Sequence, residues 1–264
     1  MIFERPDHPD LKKMFGRHVH WGYWKDPSQA KPEDAADFSR AAEAMTELVC
    51  DVGLVSNQQR ILDVGCGFGG TLQSLNDRFS GLSLLGLNID PRQIALAEKE
   101  FKPSKGNQVK FVQGDACRLP FADSSFDVVL AVECIFHFPS RLKFFREAQR
   151  VLAPGGRLVV SDFVPDGRKL LTLTLASLPK FRAIRGFYGK TNPICPLSLY
   201  KAISSRAGLR FTREQDITLN TLPTYPALLR LGTELGKTAV DAVRFTELCA
   251  QKRWINYRIL SFEK

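Results

Sequence analysis

The chain has 264 residues, of which 44% are hydrophobic and 25% are charged. These values suit an ordinary soluble protein with one large α/β domain, with or without a cap. No apolar run approaches the roughly 20 residues that a membrane span needs, and Met1–Pro6 lacks the apolar region of a secretory signal, so we expect a cytoplasmic protein without a transmembrane helix. The net charge of +9 is uneven, because ten basic residues and no acidic one lie between Gly167 and Arg213.

The first 35 residues are rich in proline, aspartate and lysine, and they contain an aromatic cluster at His18–Trp24. Such a cluster in a polar segment predicts an N-terminal arm (residues 1–35) that folds over another part of the protein. Tyr23 is then a candidate to close over a bound cofactor. The three histidines of the arm lack carboxylates at the spacing of a metal site, so we expect them to pack within it and predict no metal.

Helical and extended patterns alternate after the arm. Apolar residues at helical spacing predict a helix from Pro32 to about Val52. Short apolar runs predict strands at 60–64, 82–89, 109–113, 126–132 and 157–163, and the segments between them predict helices at 71–79, 91–101 and 141–151. Strands that alternate with helices form a parallel sheet covered on both faces, so we predict a doubly wound α/β fold.

The C-terminal part predicts a further helical region. Leucine and aromatic residues at spacings of three to four predict an amphipathic segment at 169–188, kinked at Pro179. With a helix at 197–207 it makes an α-helical cap, inserted at 165–207 into a single domain spanning 1–264. The remaining predicted elements are a strand at 209–218, a mostly helical segment at 226–251 and a last strand at 254–262.

The positive charge of the cap has two interpretations. It is either a solvated surface that keeps the protein soluble, or a surface for phosphate, a carboxylated substrate or anionic lipid. Basic residues beside leucines are also typical of an interfacial helix, so peripheral membrane contact through the basic cap is one interpretation. No motif for RNA recognition accompanies the charge, and we therefore predict no nucleic-acid partner.

A glycine-rich loop after the first strand is the most informative stretch. Gly65, Gly67 and Gly70 match G-x-G-x-x-G, in which glycines allow positive φ and close approach of a ligand to the backbone. Nicotinamide and S-adenosylmethionine sites share this pattern, so it leaves both open. Asp63, just before the loop, favours a cationic ammonium over a pyrophosphate.

Further blocks follow the loop in a fixed order, with Asn88 after the second strand, Asp115 after the third, and Phe121–Val129 and Arg150–Gly156 before the fourth and fifth. Together they resemble class I S-adenosylmethionine-dependent methyltransferases. The resemblance implies a seven-stranded, mostly parallel sheet of order 3-2-1-4-5-7-6 with the last strand antiparallel. It also implies S-adenosyl-L-methionine as the cofactor.

The resemblance further implies which residues hold this cofactor. Asp63, Gly65 and Gly67 would contact the methionine part, Asn88 the ribose, and Asp115 and Ala116 the adenine. Many family members have an acid where Asn88 stands, so the ribose contact is neutral here. With Tyr23 of the arm, the full set that we predict to bind the cofactor is Tyr23, Asp63, Gly65, Gly67, Asn88, Ile89, Asp115, Ala116 and Glu133.

The stretch Val132–Pro139 bears on the methyl acceptor. It lacks the Asn/Asp-Pro-Pro-Tyr block of amine-methylating nucleic-acid enzymes in this family. The arm, His137 and Asp162 are instead similar to small-molecule methyltransferases, namely natural-product sugar and phenol O-methyltransferases and tocopherol and quinone C-methyltransferases. The resemblance to the sugar enzymes implies His137 as the catalytic base and Asp162 as its partner, and a weakly nucleophilic hydroxyl needs such a base.

We therefore predict methyl transfer to a hydroxyl or activated carbon of a small, hydrophobic or acidic molecule. Its place would be secondary or isoprenoid/quinone-type metabolism. Two alternatives stay open: a domain that binds S-adenosylmethionine or a partner without catalysis, and a lipid or RNA methyltransferase. The sequence makes no prediction about the oligomeric state.

Overall fold

The computed structural model describes residues 14–264, and for residues 231–235 it describes the backbone alone. Its strands are β1 (Arg60–Val64), β2 (Ser83–Asn88), β3 (Gln108–Gln113), β4 (Phe126–Val132), β5 (Leu152–Pro165), β6 (Arg210–Asp216) and β7 (Ile255–Glu263). They form a seven-stranded sheet of order β3-β2-β1-β4-β5-β7-β6, with the last strand antiparallel. The predicted α/β fold and strand order are confirmed.

The helices alternate with the strands as expected. They are α1 (Ala35–Val52), α2 (Gly70–Arg78), α3 (Pro91–Glu100), α4 (Arg141–Val151), α5 (Leu170–Ser177), α6 (Phe181–Tyr188), α7 (Leu197–Arg206), α8 (Thr218–Thr221), α9 (Thr224–Leu235) and α10 (Lys237–Gln251). Short 3-10 helices include Ile135–His137 and Leu178–Lys180. Across residues 14–264, no helix has both the length and the apolar character that crossing a membrane requires.

Strand β1 shows why the local pattern predicted a buried strand. Leu62 pairs in parallel register with Leu85 of β2 and Val129 of β4, so β1 is flanked by a strand on each side. Ile61, Leu62 and Val64 are completely buried. An interior parallel strand is covered on both faces, and its sequence is therefore a continuous apolar run.

Two strand boundaries differ from the prediction for reasons outside the local pattern. Strand β5 starts at Leu152 instead of 157, because the backbone amide of Gly155 donates to Lys264 and the amide of Lys264 donates to Gly156, both at 3.0 Å. Strand β6 ends at Asp216 instead of 218. The Asp216 carboxylate accepts hydrogen bonds from the amide and hydroxyl of Thr218, which starts the short helix α8.

Two predicted helical segments are interrupted. The segment at 169–188 is divided by the 3-10 helix Leu178–Lys180, which contains the predicted Pro179 kink. The segment at 226–251 is divided at Gly236, whose φ of +87° a residue with a Cβ rarely adopts. The segment therefore forms two helices, α9 and α10.

Internal contacts divide the chain into two compact units. The described part of the first comprises residues 14–45, 163–198 and 216–258, and the second comprises residues 46–162, 199–215 and 259–264. Strands β1 to β4 and the loops at their carboxyl ends belong to the second unit. The single domain at 1–264, the arm at 1–35 and the cap at 165–207 stay predictions, and residues 1–13 of the arm lie outside the described residues.

Candidate functional site

The carboxyl ends of β1, β2, β3 and β4 bring most of the predicted site residues to one edge of the sheet. In open α/β sheets this is the edge at which ligands bind. The glycine loop after β1 has positive φ at Gly65 (+72°), Gly67 (+54°) and Gly69 (+82°). Gly69 precedes α2 and provides no side chain to cap it, so the first turn of α2 offers amides to an anionic group.

The glycine loop packs against the segment that follows β4. A Cβ added at Gly65 would lie 2.6 Å from the Cβ of Cys134, which is closer than real Cβ atoms approach. The thiol of Cys134 lies 3.0 Å from the carbonyl oxygen of Val64 and donates to it. The loop after β4 is therefore in direct contact with the loop after β1.

Asp63 is buried at the end of β1, with 2% of its surface exposed. Its Oδ2 atom has no hydrogen-bond partner among the described residues. Burial raises the pKa of this carboxyl from 3.8 to about 8. Burial and then the charge of Asp63 raise the pKa of the Cys66 and Cys134 thiols well above their ordinary value, so Asp63 faces two neutral thiols.

The segment after β4 begins with an unusual backbone conformation. Glu133 has a φ of +49°, and its amide donates to the backbone carbonyl and the hydroxyl of Ser161, both at 3.2 Å. Such strain is characteristic of functional sites. The next residues form the 3-10 helix Ile135–His137, in which the amide of His137 donates to the carbonyl of Cys134 at 3.0 Å. The His137 side chain is exposed.

Asn88 and Ile89 lie at the end of β2. The buried Asn88 side chain donates through Nδ2 to Oε1 of Gln93 at 2.6 Å. Ile89 is 71% exposed. Asp90 caps α3 through the Arg92 amide and forms an ion pair with the Arg92 guanidinium, which lowers the pKa of Asp90. Both carboxylate oxygens of Asp90 therefore accept hydrogen bonds from Arg92.

Asp115 and Ala116 follow β3. The Oδ1 atom of Asp115 accepts a hydrogen bond from the amide of Cys117 at 2.8 Å, which holds the turn in place. Ala116 is buried beside it. The predicted adenine contact would use the other oxygen of Asp115, Oδ2.

Asp162 lies in a buried cluster that the sequence did not predict. Its Oδ2 atom accepts hydrogen bonds from the Arg141 guanidinium at 3.1 Å and from the Tyr200 hydroxyl. The Arg141 Nε atom also donates to that hydroxyl at 3.2 Å. All three side chains are almost completely buried, and a buried ion pair needs such added hydrogen bonds to offset the desolvation of its charges.

A local signal for this cluster was present on α4. Arg141 occupies the same helix face as the buried residues Phe144, Phe145, Ala148 and Val151. A charge on the apolar face of a helix requires a buried partner. The helix pattern could thus have indicated that Arg141 is paired, although it could not have identified Asp162 and Tyr200 as the partners.

The described part of the arm belongs to the first unit. Trp21 contacts the rings of Phe163 and Tyr225, with centroids 5.0 and 4.4 Å apart. Tyr23 is half-buried, and its amide donates to the carbonyl of Ala41 at 2.8 Å. The prediction that Tyr23 closes over a cofactor is not tested by these contacts and stays a prediction.

The histidines of the arm are engaged in packing where the structure describes them. His18 bonds Glu43 at 2.9 Å, and His20 lies 3.0 Å from the carbonyl of Trp21. Burial and then the neighbouring His18 lower the pKa of His20 to about 3, so its ring is neutral. In residues 14–264 no group of three or more His, Cys, Asp or Glu side chains is placed to hold a metal ion. His8 lies outside the described residues.

Comparison with known proteins gives the family. Residues 62–160 match the family described as "Methyltransferase domain". Methyltransferase GfsG of Streptomyces halstedii is 36% identical over 223 residues, which cover 83% of this chain and 75% of that protein. The 27-O-demethylrifamycin SV methyltransferase of Amycolatopsis mediterranei is 31% identical over 220 residues, covering 81% and 75%. The chain belongs to the S-adenosylmethionine-dependent methyltransferase family.

A solved structure supports the fold of this methyltransferase. Geranyl diphosphate C-methyltransferase from Streptomyces coelicolor has a TM-score of 0.78 at 19% identity, over 99% of this chain and 96% of that chain. At this identity the likeness concerns the fold alone.

The cofactor of the methyltransferase is S-adenosylmethionine, and residues of the β1 edge fit it on two observations. The unpartnered Oδ2 of Asp63 is a buried acceptor suited to an ammonium group. The glycine loop and the uncapped start of α2 suit a close-lying carboxylate. The individual contacts predicted for Tyr23, Asp63, Gly65, Gly67, Asn88, Ile89, Asp115, Ala116 and Glu133, and the catalytic roles of His137 and Asp162, stay predictions.

Proposed function

We propose that this methyltransferase transfers a methyl group to a hydroxyl oxygen of a small molecule, with His137 as the general base. The supporting observation is the direct contact between the loop after β1 and the loop after β4. Cys134 packs on Gly65 and its carbonyl accepts from the amide of His137. The proposed base is thus three residues from the wall of the predicted methionine pocket, and its side chain is exposed.

The roles of the residues follow from their positions. When bound, the cofactor supplies the methyl group from its sulfonium sulfur. Asp63 would hold its ammonium group through Oδ2, and the backbone at Gly65 and Gly67, which carries no side chains, would leave room for the methionine part. His137 takes the proton that leaves the acceptor hydroxyl as the oxygen gains its methyl group. Alignment of the acceptor provides most of the remaining rate.

Asp162 acts as a positioning residue in this proposal. Its carboxylate holds Arg141, the first residue of α4, which begins four residues after His137. The buried ion pair fixes the end of the segment that carries the base. The Tyr200 hydroxyl completes the hydrogen bonding of the same carboxylate oxygen.

The name of one relative supports an oxygen acceptor. The Amycolatopsis mediterranei enzyme is named for 27-O-demethylrifamycin SV, a substrate that lacks an O-methyl group. By analogy, we infer that the acceptor of this protein is a hydroxyl of a small molecule in secondary metabolism.

The test is transfer of a labelled methyl group from S-adenosylmethionine to small molecules of a cell extract, with mass spectrometry and NMR to locate the new methyl. We expect His137→Ala to lower the turnover number by about 100-fold to 10,000-fold, with the dissociation constant of the cofactor unchanged. Lys143→Ala, at an exposed position of α4, is the control and should keep wild-type turnover.

Two results would overturn the proposal. A methyl group attached to carbon in the product contradicts the oxygen acceptor. Full turnover by His137→Ala contradicts the base, since an activated carbon or an acidic phenol reacts by alignment alone.

A further inference from the structure

The helices α5 and α6 expose an apolar surface in the first unit. Leu171, Leu175, Leu178 and Phe181 are 73%, 58%, 66% and 59% exposed. Leu171 and Leu175 are four residues apart and lie on one side of α5. Leu178 begins the 3-10 helix that follows α5, and Phe181 begins α6. We call these four residues the apolar stripe.

The opposite side of the same helices already has its packing partners. Leu173 is buried in a cluster with Phe245 and Cys249 of α10, and the side chains packed around this cluster are Ala176, Ile184, Trp254 and Ile255. The apolar stripe is therefore a second hydrophobic side, separate from the one that anchors α5 and α6. An amphipathic helix on a protein surface normally has only the anchoring side apolar, and a contiguous exposed patch marks an interaction surface.

The charges on the segment that carries the stripe are all of one sign. Six basic residues and no acidic one lie between Gly167 and Ser198, the part of the basic segment that belongs to the first unit. Arg168 precedes the stripe, Arg182 and Arg185 follow it on α6, and all three are exposed. A hydrophobic stripe bordered by cations is the arrangement of helices that lie in the interface of a membrane.

The positive charge beside the apolar stripe determines which partner the stripe can bind. A second copy of this chain would bring two positively charged surfaces together, and like charges across an interface oppose association. The surface of a bilayer that contains anionic lipid attracts basic residues instead. We propose that α5 and α6 dock this methyltransferase on an anionic lipid bilayer, with the apolar stripe among the acyl chains and the arginines at the headgroups.

The test is co-sedimentation of the full chain with sucrose-loaded vesicles of phosphatidylcholine containing phosphatidylglycerol, compared with vesicles of phosphatidylcholine alone. We expect binding to the anionic vesicles that weakens as salt is added, because exposed charges are screened. Arg182→Gln with Arg185→Gln should lower the partition coefficient about fivefold for each charge removed. Leu171→Ser with Leu175→Ser should lower it about tenfold or more, through lost apolar burial.

Leu219→Ser is the matched control, since Leu219 of α8 is 60% exposed and lies outside the stripe. It should bind vesicles like the unchanged protein. Titration with S-adenosylmethionine checks that every variant is folded, and it is independent of the vesicle result.

Three outcomes would overturn the proposal. The first is failure of the unchanged, cofactor-binding protein to sediment with anionic vesicles. The second is equal loss of binding by Leu219→Ser and the stripe variant. The third is sedimentation velocity showing self-association that the stripe variant abolishes, which would assign the stripe to a second copy.

Discussion

Replacing Asp63 by asparagine tests the electrostatics of the β1 edge. The side chain is 2% exposed, and burial raises its pKa from 3.8 to about 8. A difference of about four pH units, at about 1.4 kcal/mol for each, corresponds to about 6 kcal/mol for ionising Asp63 in the folded protein. Asparagine has the same shape and carries no proton to lose, so Asp63→Asn removes this contribution.

The sign of the effect follows from proton linkage. Between the two pKa values the folded protein keeps a proton on Asp63 that the unfolded chain has lost. The free energy of unfolding without cofactor therefore falls by about 1.4 kcal/mol for each pH unit as the pH rises through this window. It levels off above the folded pKa of about 8. Asp63→Asn should lack this slope, whereas Asp51→Asn, at an exposed position, should retain it.

Cofactor binding should reverse the protonation of Asp63. An ammonium group opposite Oδ2 stabilises the charged carboxylate, so binding near neutral pH should release up to one proton. Calorimetric titration with S-adenosylmethionine in buffers of different ionisation enthalpy measures this number, and urea denaturation across the pH range measures the slope. Equal slopes and equal proton release in the unchanged protein and Asp63→Asn would refute the reasoning.

Two further predictions concern particular contacts. Gly65→Ala should weaken S-adenosylmethionine binding about tenfold or more, because the new Cβ would lie 2.6 Å from Cys134. Gly106→Ala, at a similar φ of +73° with nothing within 4 Å, should leave the affinity unchanged, and equal losses would contradict the steric argument. Tyr200→Phe should cost about 1 to 3 kcal/mol in urea denaturation, because a buried carboxylate loses a donor. Tyr188→Phe loses a partly buried hydrogen bond to the Thr246 hydroxyl and should lower the free energy of unfolding by less. An equal loss in both variants would contradict the argument that the buried Asp162 carboxylate needs the Tyr200 donor.

The fold was predictable because its signals are local. A parallel strand such as Arg60–Val64 is a continuous apolar run, and helix α4 has its apolar residues at helical spacing. The glycine loop needed no tertiary information either, since the positive φ at Gly65 strongly favours glycine through local backbone sterics. The strand order came from the resemblance to a family and not from the periodicity.

The location of the candidate site residues at the strand ends was predictable for the same reason. Parallel strands place their carboxyl ends at one edge, so Asp63, Asn88 and Asp115 could be grouped from their positions after successive strands. The exposure of His137 and the partner of Asn88 were not predictable. They depend on which way each side chain points once the segment is packed.

The sequence by itself therefore determined the strands and helices, the glycine loop and the residues at the carboxyl edge of the sheet, because each depends on neighbours a few positions away. Only the tertiary structure decided which side chains these residues contact. Asp162 is joined to Arg141 across 21 positions and to Tyr200 across 38. Gly65 packs on Cys134 only after β1 and β4 have paired. The stripe on α5 and α6 was identified as exposed only once the opposite side was found against α10, because a periodic pattern does not reveal which of two apolar sides is buried.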